Sequence, residues 1–95
     1  MAKNLKLDYK SIMKDGRGDK IIKFLELFIG AIDVEIVEEE GGIGYHYRYD
    51  PKYEDRIPFI QDGTMAIILF GHNVDYALKY ALKEMRQKNV KINTY

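Results

Sequence analysis

The chain has 95 residues, 46% hydrophobic and 32% charged, the balance of one folded domain over 1–95 with room for a single core. It has no cysteine, which excludes disulfides, thiolate nucleophiles and cysteine-held zinc together. Net charge is zero, yet residues 1–30 carry +3, residues 31–62 carry −6 (nine acids against Arg48, Lys52 and Arg56) and residues 63–95 carry +3.

No apolar run approaches the roughly 20 residues that cross a bilayer, so no membrane role is expected. The opening MAKNLKLDYK lacks an apolar h-region. A cytoplasmic location is the resulting expectation. In chain order, NLKLDYKSIM is compatible with a strand, a helix or both. Asp19 is then placed to cap a helix with the body KIIKFLELFI, which Gly30 closes. Only Lys20, Lys23 and Glu26 are polar in that body, so the helix must be covered on most of its circumference.

DVEIVEEE, Gly41-Gly42 and IGYHYRYD read as a hairpin, the glycines supplying the positive φ of a two-residue turn. With that loop, Ile36 faces Tyr47, Val34 faces Tyr49, Val37 faces His46 and Glu35 faces Arg48. Side chains alternate along a strand, so Tyr47 and Tyr49 go to the core. His46, Arg48, Glu35 and Glu39 go outward, with Glu35–Arg48 as a cross-strand ion pair. PKYEDR follows as a looser segment. RIPFIQ, Asp62-Gly63 and TMAIILFG then read as a second hairpin, Pro58 marking an edge strand and the wholly apolar MAIILF a strand buried on both faces. Asn73 caps a last helix with Val74, Ala77, Leu78, Ala81, Leu82 and Met85 on one stripe. Asn89 is placed to end it, and VKINTY to add a short closing strand.

The expected fold is α+β: an antiparallel sheet of 3–5 strands, from two consecutive hairpins, with two main helices on one face, in the order α-β-β-β-β-α-(β). Its excess of apolar surface over residues 21–29 and 65–70 points to a partner subunit, hence a homodimer or larger homo-oligomer.

Catalytic chemistry has little to work with. Ser11 is the only serine, Thr64 and Thr94 the only threonines, and His46 and His72 the only histidines. None stands in a nucleophile–base motif, and no HxH or HExxH spacing suggests a metal, so no enzyme, metal or cofactor is expected. Glu38, Glu39 and Glu40 read as a solvated hairpin end.

Two loops have anion-binding chemistry. GHN at 71–73 meets a helix N-terminus, where free backbone N–H groups, His72 and Asn73 can receive a small anionic ligand. KDGRGDK at 14–20 offers glycines with Arg17 and Lys20 to a phosphate. With Ile21, Phe24 and Gly30-Ala31 following, residues 5–40 resemble part of a KH domain, whose glycine loop clamps a nucleic-acid backbone. The first loop glycine of that pattern is Asp15 here, and Asp19 adds a second carboxylate. The order helix, strands, helix is also similar to a double-stranded-RNA-binding domain, although His72, Asn73, Val74 and Asp75 stand where that family has a basic cluster.

The function best carried by these residues is a small non-enzymatic interaction module, a regulator or inhibitor with the character of small intracellular or virus-encoded proteins. It would act through protein–protein contacts made by His46, Arg48, Glu35, Glu39 and Tyr53. The alternatives are nucleic-acid binding through the loop at 14–20 and anionic-ligand binding at 71–73.

Overall fold

The computed structural model describes residues 5–40 and 42–93, with side chains described as far as Lys88. Its elements are α1 (Tyr9–Lys14), α2 (Arg17–Ile29), β1 (Ile32–Glu39), β2 (Gly42–Arg48), a 3-10 helix (Pro51–Phe59), α3 (Ile60–Phe70) and α4 (Val74–Asn93). Among the described residues no helix is long and apolar enough to cross a membrane.

Of the early segment NLKLDYKSIM, the helix takes Tyr9 onward, while Asn4 lies outside the described residues. Asp8 caps α1 by accepting the Ser11 N–H at 2.8 Å, and those hydrogen bonds hold its carboxyl below the usual range. α2 begins at Arg17, before the expected cap Asp19, because Asp15 accepts the Arg17 N–H at 3.1 Å. Asp19 instead lies in the first turn, where a carboxylate complements the helix dipole. Gly30 stops α2 in the left-handed region at φ 61°.

The first hairpin forms with its faces as expected but its register displaced by two residues. Ile36 pairs with Tyr45 instead of Tyr47, Val37 with Gly44 and Glu35 with His46. Glu39 pairs with Gly42, which puts Gly42 in the strand, while Gly41 lies outside the described residues. Gly44 favours this alignment. A Cβ there would meet the Glu39 carboxyl at 2.2 Å, so the glycine leaves room for that side chain. A slide of two keeps every residue on its face, whereas a slide of one would have inverted them all. Beyond Glu35 the ladder bulges, with Ile32 opposite Arg48 and Asp33 at a positive φ of 56°. That bulge moves the ion pair from Glu35–Arg48 to Asp33–Arg48, exposed and 3.4 Å long.

The second hairpin does not form. Residues 51–59 are 3-10 helix and 60–70 are α-helix, so the expected 3–5-stranded sheet with two main helices is replaced by one two-stranded antiparallel sheet and four α-helices among the described residues. Two physical facts overturn the turn reading at Asp62-Gly63. Gly63 sits inside α3 where a Cβ would meet Phe24 Cζ at 2.1 Å, so it serves helix packing and not reversal. MAIILF is apolar throughout because α3 buries Ala66, Ile67 and Ile68, and an unbroken apolar run suits a buried helix as well as a strand. Gly71 ends α3 at φ 66°, and its N–H returns to Ile67 O at 2.9 Å.

Asn73 caps α4 by accepting the Tyr76 N–H at 2.8 Å. The helix runs past Asn89 to Asn93, so the residues 90–93 expected as a closing strand are helical, and Thr94 and Tyr95 lie outside the described residues.

α2 is the hub. It packs against α1, β1, the 3-10 helix, α3 and α4, and Ile21, Phe24, Leu25, Phe28 and Ile29 are fully buried. Of the two apolar runs that point to a partner subunit, the chain's own elements cover these five residues of α2, while Leu27 stays 57% exposed and Leu69 and Phe70 of α3 are exposed as well. Phe24 and Phe28 stack at 5.2 Å, and Ala77 and Ala81 let α4 approach closely.

Candidate functional site

The two basic side chains expected to bind phosphate, Arg17 and Lys20, are engaged inside the fold, and so is Arg56. The Arg17 guanidinium, 3% exposed, pairs with Asp15 at 2.9 Å and donates to the Ile68 carbonyl at 2.6 Å and to the Lys6 carbonyl. The hydrogen bonds that Arg17 donates to the Asp15 carboxyl hold it below the usual range. Lys20 reaches the Gly71 carbonyl at 3.4 Å. Both cations thus cover the C-terminal carbonyls of α3, a favourable place for positive charge. Arg56 does the same for α2, donating to Phe28 O at 2.9 Å beneath the rings of Phe28 and Tyr53. The open groove beside them, about 560 Å³, is bordered by Asp15, Arg17, Lys20 and Phe70.

At 71–73 the donors are also engaged. The His72 N–H bonds Ala66 O at 3.2 Å, and Asn73 holds the Tyr76 N–H. The His72 ring stacks on Tyr76 at 3.9 Å.

On the hairpin, Glu35, Glu39, His46 and Arg48 are all exposed on the outer face. Tyr53 is not with them. It lies on the 3-10 helix across Gly30, where a Cβ would meet its ring at 3.0 Å, and it packs against the core. The inner face carries Tyr45 and Tyr47, half-buried over a cleft of about 480 Å³ shared with Thr64 and Ile68. Burial pushes both phenols up, opposed at Tyr45 by the nearby Thr64 hydroxyl.

A smaller but more aromatic surface feature lies elsewhere. Between antiparallel α3 and α4 runs a groove of about 320 Å³ lined by Asp62, Met65, Phe70, His72, Tyr76 and Tyr80. Its aromatic wall is a continuous ladder. Phe70 meets His72 at 5.7 Å, His72 stacks on Tyr76 at 3.9 Å and Tyr76 on Tyr80 at 6.5 Å. Local rules build it: the left-handed Gly71 reverses the chain so that Phe70 and His72 flank the turn, and Tyr76 and Tyr80 are one helical step apart. Phe70 is 67% exposed, Tyr76 49% and Tyr80 39%, although large aromatics normally seek cover.

At the far end of the groove stands Asp62, half-buried. Desolvation pushes its carboxyl above the usual range, and Glu84 adds to this while Lys88 opposes it. Among the described residues Asp62 takes part in no ion pair. Of this groove the sequence reading marked only His72. The available signal was Tyr76 and Tyr80, two aromatics at i, i+4 lying off the apolar stripe of α4. Among the described residues, no three His, Asp or Glu side chains converge to hold a metal ion.

Comparison of the chain with known protein families, curated proteins and solved structures finds no match in any of the three.

Proposed function

We propose that this protein is a small non-enzymatic interaction module that acts through protein–protein contacts, with the α3–α4 groove as its docking face. One observation carries the reading: His72, Tyr76 and Tyr80 stack in succession with Phe70 tilted against His72, and Phe70, Tyr76 and Tyr80 stay open to solvent along a concave surface. Exposed aromatics in a groove are the side chains that anchor interfaces, because they desolvate a large area with few rotatable bonds. The engagement of Arg17 and Lys20 with α3 carbonyls argues against the loop at 14–20 as a phosphate grip. Most of the apolar face of α2 is covered within one chain, and Phe70 and Tyr76 are the exposed aromatics at which a second copy would dock.

A photo-crosslinking amino acid placed at position 70, and separately at position 46, tests this in cells. Adducts of defined mass from position 70 and none from position 46 are the expected result. Adducts from position 46 alone would move the docking face to the hairpin. An adduct of twice the chain mass would identify the partner as a second copy.

A further inference from the structure

Resting on that docking face, we propose that the groove recognises a basic side chain, an arginine in a segment of the partner protein, held between the Tyr76–Tyr80 faces and the Asp62 carboxylate. The groove is asymmetric in the way such a ligand requires. Its turn end, at Phe70 and His72, is aromatic, and its open end holds Asp62, on which Glu84 of α4 acts as a like charge.

Asp62 is the unusual member. It lines the groove half-buried, with no ion-pair partner among the described residues, and desolvation together with the like charge of Glu84 disfavours its ionised form, which a cation bound in the groove would favour. Among the described residues Lys88 is the basic group set against Asp62; it is exposed and leaves the carboxylate displaced upward.

The aromatic wall complements this. Ring faces attract cations, and a planar guanidinium stacks on tyrosine while its edge donates to a carboxylate. Arginine satisfies both at once, which an ammonium point charge or a neutral ring does not. A phosphodiester chain, by contrast, would meet Asp62 and Glu84 as like charges.

The test uses three capped pentapeptides with a single central residue between two leucines: arginine, its neutral isostere citrulline, or glutamate. Binding is followed by amide and ring NMR shifts of Asp62, Tyr76 and Tyr80 on the full chain. The arginine peptide is expected to bind about tenfold more tightly than the citrulline peptide, and the glutamate peptide not to bind. In Asp62→Asn, a near-isosteric change at a partly exposed site, that preference should shrink to about twofold or less.

Equal binding of arginine and citrulline peptides would overturn the cation inference while leaving the groove as a peptide dock. Absence of shifts with all three would overturn it too. If the crosslinker at position 70 is then also silent, the docking face falls with it. Tighter binding of a single-stranded oligothymidylate than of the arginine peptide would replace it with base stacking.

Discussion

Replacing Arg17 with methionine keeps the side-chain stem and removes only the guanidinium, so the loss can be worked from its partners. The Asp15 carboxylate is 41% exposed and can rehydrate, so its ion pair contributes less than about 1 kcal/mol. The Ile68 carbonyl, bonded at 2.6 Å in a buried setting, and the Lys6 carbonyl lose donors that water cannot fully replace. Each such loss costs about 1–3 kcal/mol, so Arg17→Met should destabilise the fold by about 3 kcal/mol, a large share of a small domain's stability. Arg17→Lys should recover only part of this, because one ammonium cannot span three partners. Urea unfolding followed by far-UV circular dichroism measures it, with the denaturant slope unchanged. The sign with pH also follows. The folded-state pKa of Asp15 is lowered, so its share is present above the unfolded value and lost as pH falls through the folded one. The cost of Arg17→Met should therefore diminish in strong acid. A loss below about 1 kcal/mol at pH 7 would show that the guanidinium is not the clasp between α2 and α3, and would return Arg17 to the ligands of an anion.

Gly63→Ala should destabilise by about 1–3 kcal/mol despite the gain of up to about 1 kcal/mol that alanine brings to a helix interior, because its Cβ would meet Phe24 at 2.1 Å. A rise in Tm would contradict the close approach of α3 to α2. Asp62→Asn should raise Tm at neutral pH. The folded pKa of Asp62 is raised, so its ionised form opposes folding there, and the advantage of the variant should fade as pH falls through that raised value. Arg48→Ala should cost less than about 1 kcal/mol, since its pair with Asp33 is exposed at both ends, and scanning calorimetry would show a near-unchanged transition.

Legibility of the fold followed whether one side of an element met water. α4 showed its period because Ala77 and Ala81 are buried while Asp75, Lys79 and Lys83 are exposed. The hairpin showed its alternation for the same reason, and its register slipped only by a face-preserving two residues because Glu39 had to fit over Gly44. α3 was silent: with Ala66, Ile67 and Ile68 buried in succession, no polar stripe marks a helical period. Its Asp62-Gly63 pair carries a turn signal locally, and tertiary packing under Phe24 overrides that signal. The outer hairpin residues Glu35, His46 and Arg48 were legible as exposed. The groove was not, because it exists only once α3 is a helix antiparallel to α4, which brings Asp62 and Phe70 to opposite ends of the Tyr76–Tyr80 stripe. Arg17 read as a free cation because the carbonyl of Ile68, 51 positions away, cannot be seen from its neighbours in sequence.

Selection of peptides from a random phage-displayed library on the immobilised protein, with a Phe70→Ala/Tyr76→Ala double variant as counter-target, asks what the α3–α4 groove binds without presupposing a partner. Enriched sequences are expected to carry an arginine flanked by apolar residues and to lose binding on the double variant while its fold, checked by circular dichroism, is kept. Enrichment of acidic sequences, or of binders indifferent to the loss of Phe70 and Tyr76, would contradict the groove as the docking face.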